Sequence, residues 1–196
     1  MKRLILMTIA VLGALAVMVL WQIGRGPAVE PLPINTRMVG EFEMTDQTGA
    51  RFHSDALRGQ VVLMFFGFTH CPDICPATMA RMAQLYKDLE RTREAADVQV
   101  VFVTFDPERD TPEYLQQYLA WFHPDFIGLT GSTEDVERIT SLYSVVYMPM
   151  GEDRQGGTEF AHSDFVYLLD RETRVRKLFP VEADLEEIKR DLRSLL

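Results

Sequence analysis

Val61-Val-Leu-Met-Phe-Phe-Gly-Phe-Thr-His70-Cys71-Pro-Asp-Ile-Cys75-Pro76 sets the architecture of the chain. Residues 61–66 are a continuous apolar run, as a strand covered on both faces requires. Apolar residues then recur at helical spacing at Met79, Met82, Ala83, Tyr86 and Leu89, so a helix runs from Met79 to Leu89. Residues 98–105 form a second buried strand. Beyond it, Thr111-Pro112-Glu113 opens a helix, with Thr as cap and Pro at the first position, and His123-Pro124 stops it. Phe126–Leu129 is a short strand, and Ser132 caps a third helix through Tyr143. Phe165–Leu169 and Val175–Phe179 form a hairpin around Asp170-Arg-Glu-Thr173, and Asp184–Leu195 is an amphipathic terminal helix. Before the first run, Glu41–Thr45 and Ala50–His53 flank a turn at Gln47-Thr48-Gly49. This order predicts an α/β sheet with helices on both faces and a terminal antiparallel hairpin.

The 196 residues carry 20 Lys and Arg against 29 Asp and Glu, a net charge of −9 that argues against nucleic-acid binding. A 47% hydrophobic, 25% charged composition belongs to a globular protein rather than a disordered one. Two cysteines exclude a disulfide-dense mini-protein and any all-cysteine zinc or iron–sulfur site. Leu4–Trp21 is uncharged behind Lys2 and Arg3, which predicts a membrane anchor over residues 1–23 with the rest of the chain exported. Ala14-Leu15-Ala16 leaves a cleaved signal peptide as the competing reading. No cysteine near this segment is available for lipid attachment. Residues 24–38, rich in Gly and Pro, read as a linker to a single domain over 39–196.

The chemistry is expected at the carboxyl end of the first buried strand, where ligands gather in open sheets. Cys71 and Cys75 sit there, at a helix N-terminus that favours thiolates. Placed in one helical turn, they would be slightly wide for an unstrained disulfide and well spaced to clasp one ion, although Pro72 and Pro76 could distort the turn enough for the bond. Two thiolates need a third partner. His53 reads as surface polar, His123 as a helix terminator and His70 as a packing residue turned away from the cysteines. His162, in a loop entering the strand 165–169, is the best placed. Asp106 ends the second buried strand and reads either as a contact behind the ligands or a docking contact, or as a loop cap. Met148-Pro-Met150 offers thioethers but reads as strand end and core. Glu182, Asp184, Glu186 and Glu187 read as a solvated helix face.

Val61 through Thr78 resembles the signature of the Sco/SenC copper chaperones. Phe102-Val-Thr-Phe-Asp-Pro-Glu-Arg-Asp-Thr-Pro-Glu113 is similar to that family's second motif, and His162-Ser-Asp-Phe-Val-Tyr-Leu-Leu-Asp170 to its third. The resemblance implies a thioredoxin-like fold, a central mixed sheet flanked by helices, with an N-terminal β-hairpin extension and a single preceding transmembrane helix. It implies one copper, Cu(I) or Cu(II), held by Cys71, Cys75 and His162, and delivery to the CuA site of cytochrome c oxidase subunit II. It also implies a redox disulfide between Cys71 and Cys75, and with it a thioredoxin-like reductant and other periplasmic copper chaperones as partners. The implied location is the bacterial inner membrane, with the domain in the periplasm or on the outer face.

The residue chemistry agrees. Thiolates select Cu(I), imidazole suits both copper states, and a structural zinc site would want a fourth ligand. Two other functions fit the same fold. A thiol–disulfide reductase would carry a proline just before the strand 165–169, and no proline lies between Pro149 and Pro180. A peroxidase would need an arginine beside its cysteine, for which only Arg81 offers itself. The expectation is therefore a non-enzymatic carrier with an accessory reductase activity.

Overall fold

The computed structural model describes residues 32–38, 40–152 and 157–196, together with Gly13, Leu15 and Met18. The predicted anchor and the first part of the predicted linker lie otherwise outside the described residues. No helix among the described residues is long and apolar enough to cross a membrane.

In chain order the elements are β1 (Glu43–Asp46), β2 (Arg51–His53), β3 (Val61–Gly67), α1 (Ile74–Thr92), β4 (Val98–Thr104), α2 (Pro112–Ala120) and β5 (Ile127–Thr130). They continue with α3 (Thr133–Leu142), β6 (Tyr147–Glu152), β7 (Thr158–His162), β8 (Phe165–Leu169), β9 (Val175–Pro180) and α4 (Leu185–Arg193). Seven strands form one mixed sheet in the order β2-β1-β5-β4-β3-β8-β9, and β6 and β7 form a separate two-stranded sheet. The predicted N-terminal hairpin is present, with Met44 opposite Phe52, and adds to the edge of β5.

Every residue of β3 is buried, because β4 pairs parallel on one side, β8 antiparallel on the other, and both faces are covered. Register identifies the faces. Phe65 lies beside Phe102, and Phe66 beside Val103, so Phe65 and Phe66 point to opposite faces. Tyr118 of α2 packs on Phe102 at 5.6 Å between ring centroids, and Tyr143 after α3 packs on Phe66 at 5.5 Å. Helices thus cover both faces, as the apolar runs predict. Burying side chains the size of Phe65, Phe66, Phe102 and Phe126 stabilises by about 2 kcal/mol each.

Two elements depart from the sequence reading. Helix α1 begins at Ile74 rather than Met79, because Pro76 sits in the first turn, where a missing N–H costs nothing. Pro72 disfavours helical dihedrals at Cys71, which lies outside the helix. The one-turn geometry expected of the cysteine pair therefore does not apply. The second departure is the pairing of β6 with β7 as a separate hairpin: the sequence reading has a strand end at Met148–Met150 but takes the stretch entering β8 as loop. Its edge strand β6 contains Pro149 and Gly151, and a register shift falls between them.

Residues ahead of β1 run along the far edge of the main sheet. The Asn35 amide donates to the Val175 carbonyl at 2.8 Å, and the Arg176 guanidinium donates to the carbonyls of Leu32 and Pro33.

Candidate metal centre

Cys71 and Cys75 flank the turn from β3 into α1. Cys75, the second residue of α1, is fully buried beneath the end of β3. Its sulfur occupies the space of a side chain at Gly67, since a Cβ there would lie 2.8 Å from Cys75 Sγ. Gly67 is thus a functional position that the sequence reading missed. Its signal was a glycine closing an otherwise apolar strand, which marks a close approach. Cys71 is partly exposed, and its Sγ accepts from the Cys75 amide at 3.5 Å.

His162 ends β7, rather than lying in a loop, and reaches the same turn. Its Nε2 lies 3.8 Å from Cys75 Sγ, while Nδ1 lies 2.9 Å from the Asp164 carboxylate and 3.2 Å from the Ser163 carbonyl. These acceptors hold the Nδ1 proton and leave Nε2 facing the sulfurs. The ring sits among Phe65, Phe68 and Phe105, with centroids 6.5, 6.2 and 5.0 Å away. One ligand atom each from Cys71, Cys75 and His162 lie within 4.8 Å of one another, and no fourth Cys, His, Asp or Glu joins them among the described residues. The group opens on a cleft of about 340 Å³ lined by Phe68, Cys71, Pro72, Ile74, Phe160 and His162.

The two thiols share one proton. The hydrogen bond from Cys75 holds the Cys71 thiol down to about 4 against the cost of its burial, with further help from His162 and the backbone amides of Cys75 and Asp73. Cys75 is pushed up, first as the donor in that pair and then by burial. Burial opposes the charged form of His162, but its hydrogen bonds to Cys71 and the Ser163 carbonyl and the charge of Asp164 outweigh burial and raise it.

Behind the turn stands Asp110, which is fully buried. Its carboxylate accepts from the Thr69 amide at 3.0 Å and from the hydroxyls of Thr69 and Thr104. The sequence reading missed it, although its spacing from Asp106 at the end of a buried strand was a signal. The Asp106 carboxylate accepts from the Arg109 guanidinium, which also donates to the Thr158 carbonyl of β7. Asp106 thus holds the guanidinium of Arg109, which ties the loop after β4 to the hairpin carrying His162. Burial pushes its carboxyl up against the pull of Arg109.

The remaining histidines are engaged elsewhere. His70 Nδ1 lies 3.0 Å from Thr69 Oγ1, and its ring stacks on Tyr114. His53 Nδ1 accepts from the Asp55 amide, and buried His123 accepts from the Asp125 amide. Arg81 donates to the Ala183 carbonyl beside α4. Met148 and Met150 are not core, as the sequence reading had them. They are 52% and 64% exposed, on a strand that no described element buries. On the acidic stretch, Asp184 caps α4 while Glu186 and Glu187 pair with Lys189 and Lys177.

Comparison with known proteins matches residues 32–196 to the SCO1/SenC family. A SCO2-like protein of Rickettsia felis is 39% identical over 161 residues, covering 82% of this chain and 78% of its own. Copper-bound ScoI of Bradyrhizobium japonicum superimposes with a TM-score of 0.73 at 32% identity, covering 80% of this chain and 98% of that one. BsSco, described with a disulfide switch and as a member of the Sco family of cytochrome c oxidase assembly proteins, superimposes with a TM-score of 0.67 at 26% identity, covering 85% and 98%.

Proposed function

The chain belongs to the SCO1/SenC family, and from that premise we propose that it carries one copper ion on Cys71, Cys75 and His162 for cytochrome c oxidase assembly. The observation that carries this reading is two sulfurs and an imidazole nitrogen within 4.8 Å of one another at the rim of an open cleft. The donor set fits the cargo: thiolates select Cu(I), and imidazole serves both copper states. Three donors also leave a coordination position through which a partner can enter, unlike a closed four-ligand zinc site. In transfer to the CuA site of oxidase subunit II, incoming thiolates displace Cys71, Cys75 and His162. The Cys71 thiolate is already deprotonated for binding, so loading there releases no proton at neutral pH. Residues 1–23 anchor the chain in the bacterial inner membrane, 24–38 tether it, and 39–196 carry the metal on the periplasmic or outer face. This arrangement is supported by the uncharged run Leu4–Trp21 behind Lys2 and Arg3.

The full-length chain, purified in detergent and loaded with copper, is expected to hold a single ion. Its Cu(II) form should show intense thiolate-to-copper charge transfer, and Cys71→Ser/Cys75→Ser should remove both signals. Stoichiometry near zero, or a spectrum from nitrogen and oxygen ligands alone, would overturn the assignment.

A second reading, reduction of the CuA cysteines, is favoured by the low Cys71 beside a protonated Cys75. The Cys71 thiolate would attack a partner disulfide, forming a mixed disulfide and releasing one partner thiolate. Cys75 would then lose its proton and attack Cys71 Sγ, releasing the second partner thiolate. Two electrons would end on the partner, and this chain would leave with a Cys71–Cys75 disulfide. A thioredoxin-like reductant would have to restore the dithiol before metal binding, and other periplasmic copper chaperones would supply the copper. A chain with the Cys71–Cys75 disulfide should bind no Cu(I) at this site.

A further inference from the structure

We propose that the buried hydroxyl of Tyr118, on α2, donates a hydrogen bond to the Cys75 sulfur when copper is bound, and so sets the balance between Cu(I) and Cu(II). The proposal rests on the copper reading of Cys71, Cys75 and His162 and adds a positioning residue to it.

Helix α2 lies along the cysteine turn. Tyr114 stacks on His70, the neighbour of Cys71, and Tyr118 follows one turn later on the same helix face. The Tyr118 ring packs on Phe102 and Phe122, with centroids 5.6 and 5.1 Å away. Phe102 and Cys75 meet over Gly67, where a Cβ would lie 3.1 Å from the Phe102 ring and 2.8 Å from Cys75 Sγ. Tyr118 and Cys75 thus share one aromatic neighbour.

Among the described residues, the Tyr118 hydroxyl is one of two buried side-chain polar groups without a hydrogen-bond partner, the other being Arg81 Nε. A native fold rarely leaves such a group unmatched, because its desolvation is then uncompensated. Burial, then the charges of Cys75, Cys71 and Asp110, push its ionisation up, so it keeps its proton and lies among those three groups. Asp110 is already taken by the Thr69 amide and the hydroxyls of Thr69 and Thr104. Cys71 is partly exposed and accepts from the Cys75 amide. The Cys75 sulfur is fully buried, and once copper replaces its proton it becomes purely an acceptor. The Tyr118 O–H turns about its C–O bond to meet that acceptor. A hydrogen bond withdraws electron density from the thiolate, which Cu(II) draws on more than Cu(I) does, so the donor favours Cu(I).

The test compares the full-length chain in detergent with Tyr118→Phe, which keeps the ring and removes the hydroxyl. The variant should still hold one copper, but its thiolate-to-copper charge transfer should move to longer wavelength. The ratio of Cu(I) to Cu(II) affinity should fall about tenfold, a drop of about 59 mV in the one-electron potential. Without copper, its midpoint in urea should equal or exceed that of the wild type, because an unmatched polar group has gone. Tyr114→Phe, on the same helix face, should move neither band nor potential. An unmoved band and potential in Tyr118→Phe would overturn the proposal. So would a copper-free chain made less stable by that variant, since the hydroxyl would then have a structural partner. No charge transfer in the wild type would overturn the copper reading itself, and the proposal with it.

Discussion

The turn after β3 and the β6–β7 hairpin supply one site from two very different supports. The turn hangs from the middle of the main sheet: β3 is wholly buried, Cys75 sits in the space above Gly67, and Asp110 fixes the Thr69 backbone from beneath. The hairpin is a two-stranded sheet of its own, with one strand largely exposed. It is held by Arg109 to the Thr158 carbonyl and by stacking of Tyr147 on Phe105 at 5.0 Å, and its own base is closed by the Ser163 amide donating to the Val146 carbonyl. Elements with few buried contacts open at lower free energy than core strands. The thiols are thus built into the core, and the imidazole is borne on a smaller sheet packed against it through Tyr147, Phe160 and His162.

The largest expected effect lies within the turn and separates its two thiols. Alkylation of Cys71 should rise as pH passes about 4 and level off below neutrality, while Cys75 stays unreactive in the folded chain. A free thiol would instead rise through about 8.5. The same shift has a stability sign. A folded value below the unfolded one means that the Cys71 contribution is fully present only above the ordinary thiol value of 9.0 and is lost as pH falls through about 4. Above that range the ionisation of Cys75, which the fold opposes, works the other way. His162→Ala should move the Cys71 profile upward, because the imidazole is one of the groups that holds it down. A profile unchanged by that variant would mean that turn and hairpin do not communicate.

His162→Ala also tests the division through the metal. Removing one of three donors should weaken Cu(II) by more than about 100-fold, beyond the cost of losing a supporting residue. Cu(I) should fall less, since two thiolates remain. Reduction of a partner disulfide should survive in this variant. Equal losses for Cu(I) and Cu(II) would place the imidazole on a par with the thiols and break the contrast.

The converse variant attacks the rigid support. Asp110→Ala leaves the Thr69 amide and the two threonine hydroxyls without their shared acceptor in a buried site. It should cost about 2 kcal/mol in urea unfolding and lower the affinity for both copper states together. A loss confined to Cu(II) would show that Asp110 acts on the hairpin instead.

Much of this was legible because burial writes itself locally. The runs 61–66 and 98–105 gave β3 and β4, and Thr111 and Ser132 cap α2 and α3 as their sequences predict, Ser132 through a reciprocal box with Asp135. The cysteine pair stood out by its position at a strand–helix turn. His162 rested on position and on family resemblance, since nothing local connects it to residues nearly ninety positions earlier. The β6–β7 hairpin was illegible because Pro149 and Gly151 interrupt its alternation, and edge strands tolerate both. That omission misassigned Met148 and Met150 to the core. Asp110 and Gly67 were missed for another reason: one acts by accepting from the Thr69 amide and two threonine hydroxyls and the other through an absent side chain, so the signals they left, a spacing from Asp106 and a glycine closing an apolar strand, point to packing rather than to metal chemistry.

The smallest expected effect concerns the joint where hairpin meets main sheet. Asp164 lies between β7 and β8, and its carboxylate, 2.9 Å from His162 Nδ1, combines two actions. As an acceptor it orients the ring so that Nε2 faces the sulfurs, and as a charge it raises the basicity of the imidazole. Asp164→Asn removes the charge and can keep an acceptor in place, whereas Asp164→Ala removes both. The Asn variant should therefore lower the His162 pKa, because the Asp164 charge is one of the groups that raises it, and weaken Cu(II) by about tenfold with little change in Cu(I). The Ala variant should weaken Cu(II) further, toward the His162→Ala value, because the ring is then free to turn about a single acceptor, the Ser163 carbonyl. Cu(II) affinity by chelator competition and the His162 titration by NMR, measured on both variants, separate the two actions. If both variants bind Cu(II) as the wild type does, Asp164 holds nothing that matters to the metal, and the hairpin alone, through Phe105 and the Ser163 carbonyl, fixes the third ligand.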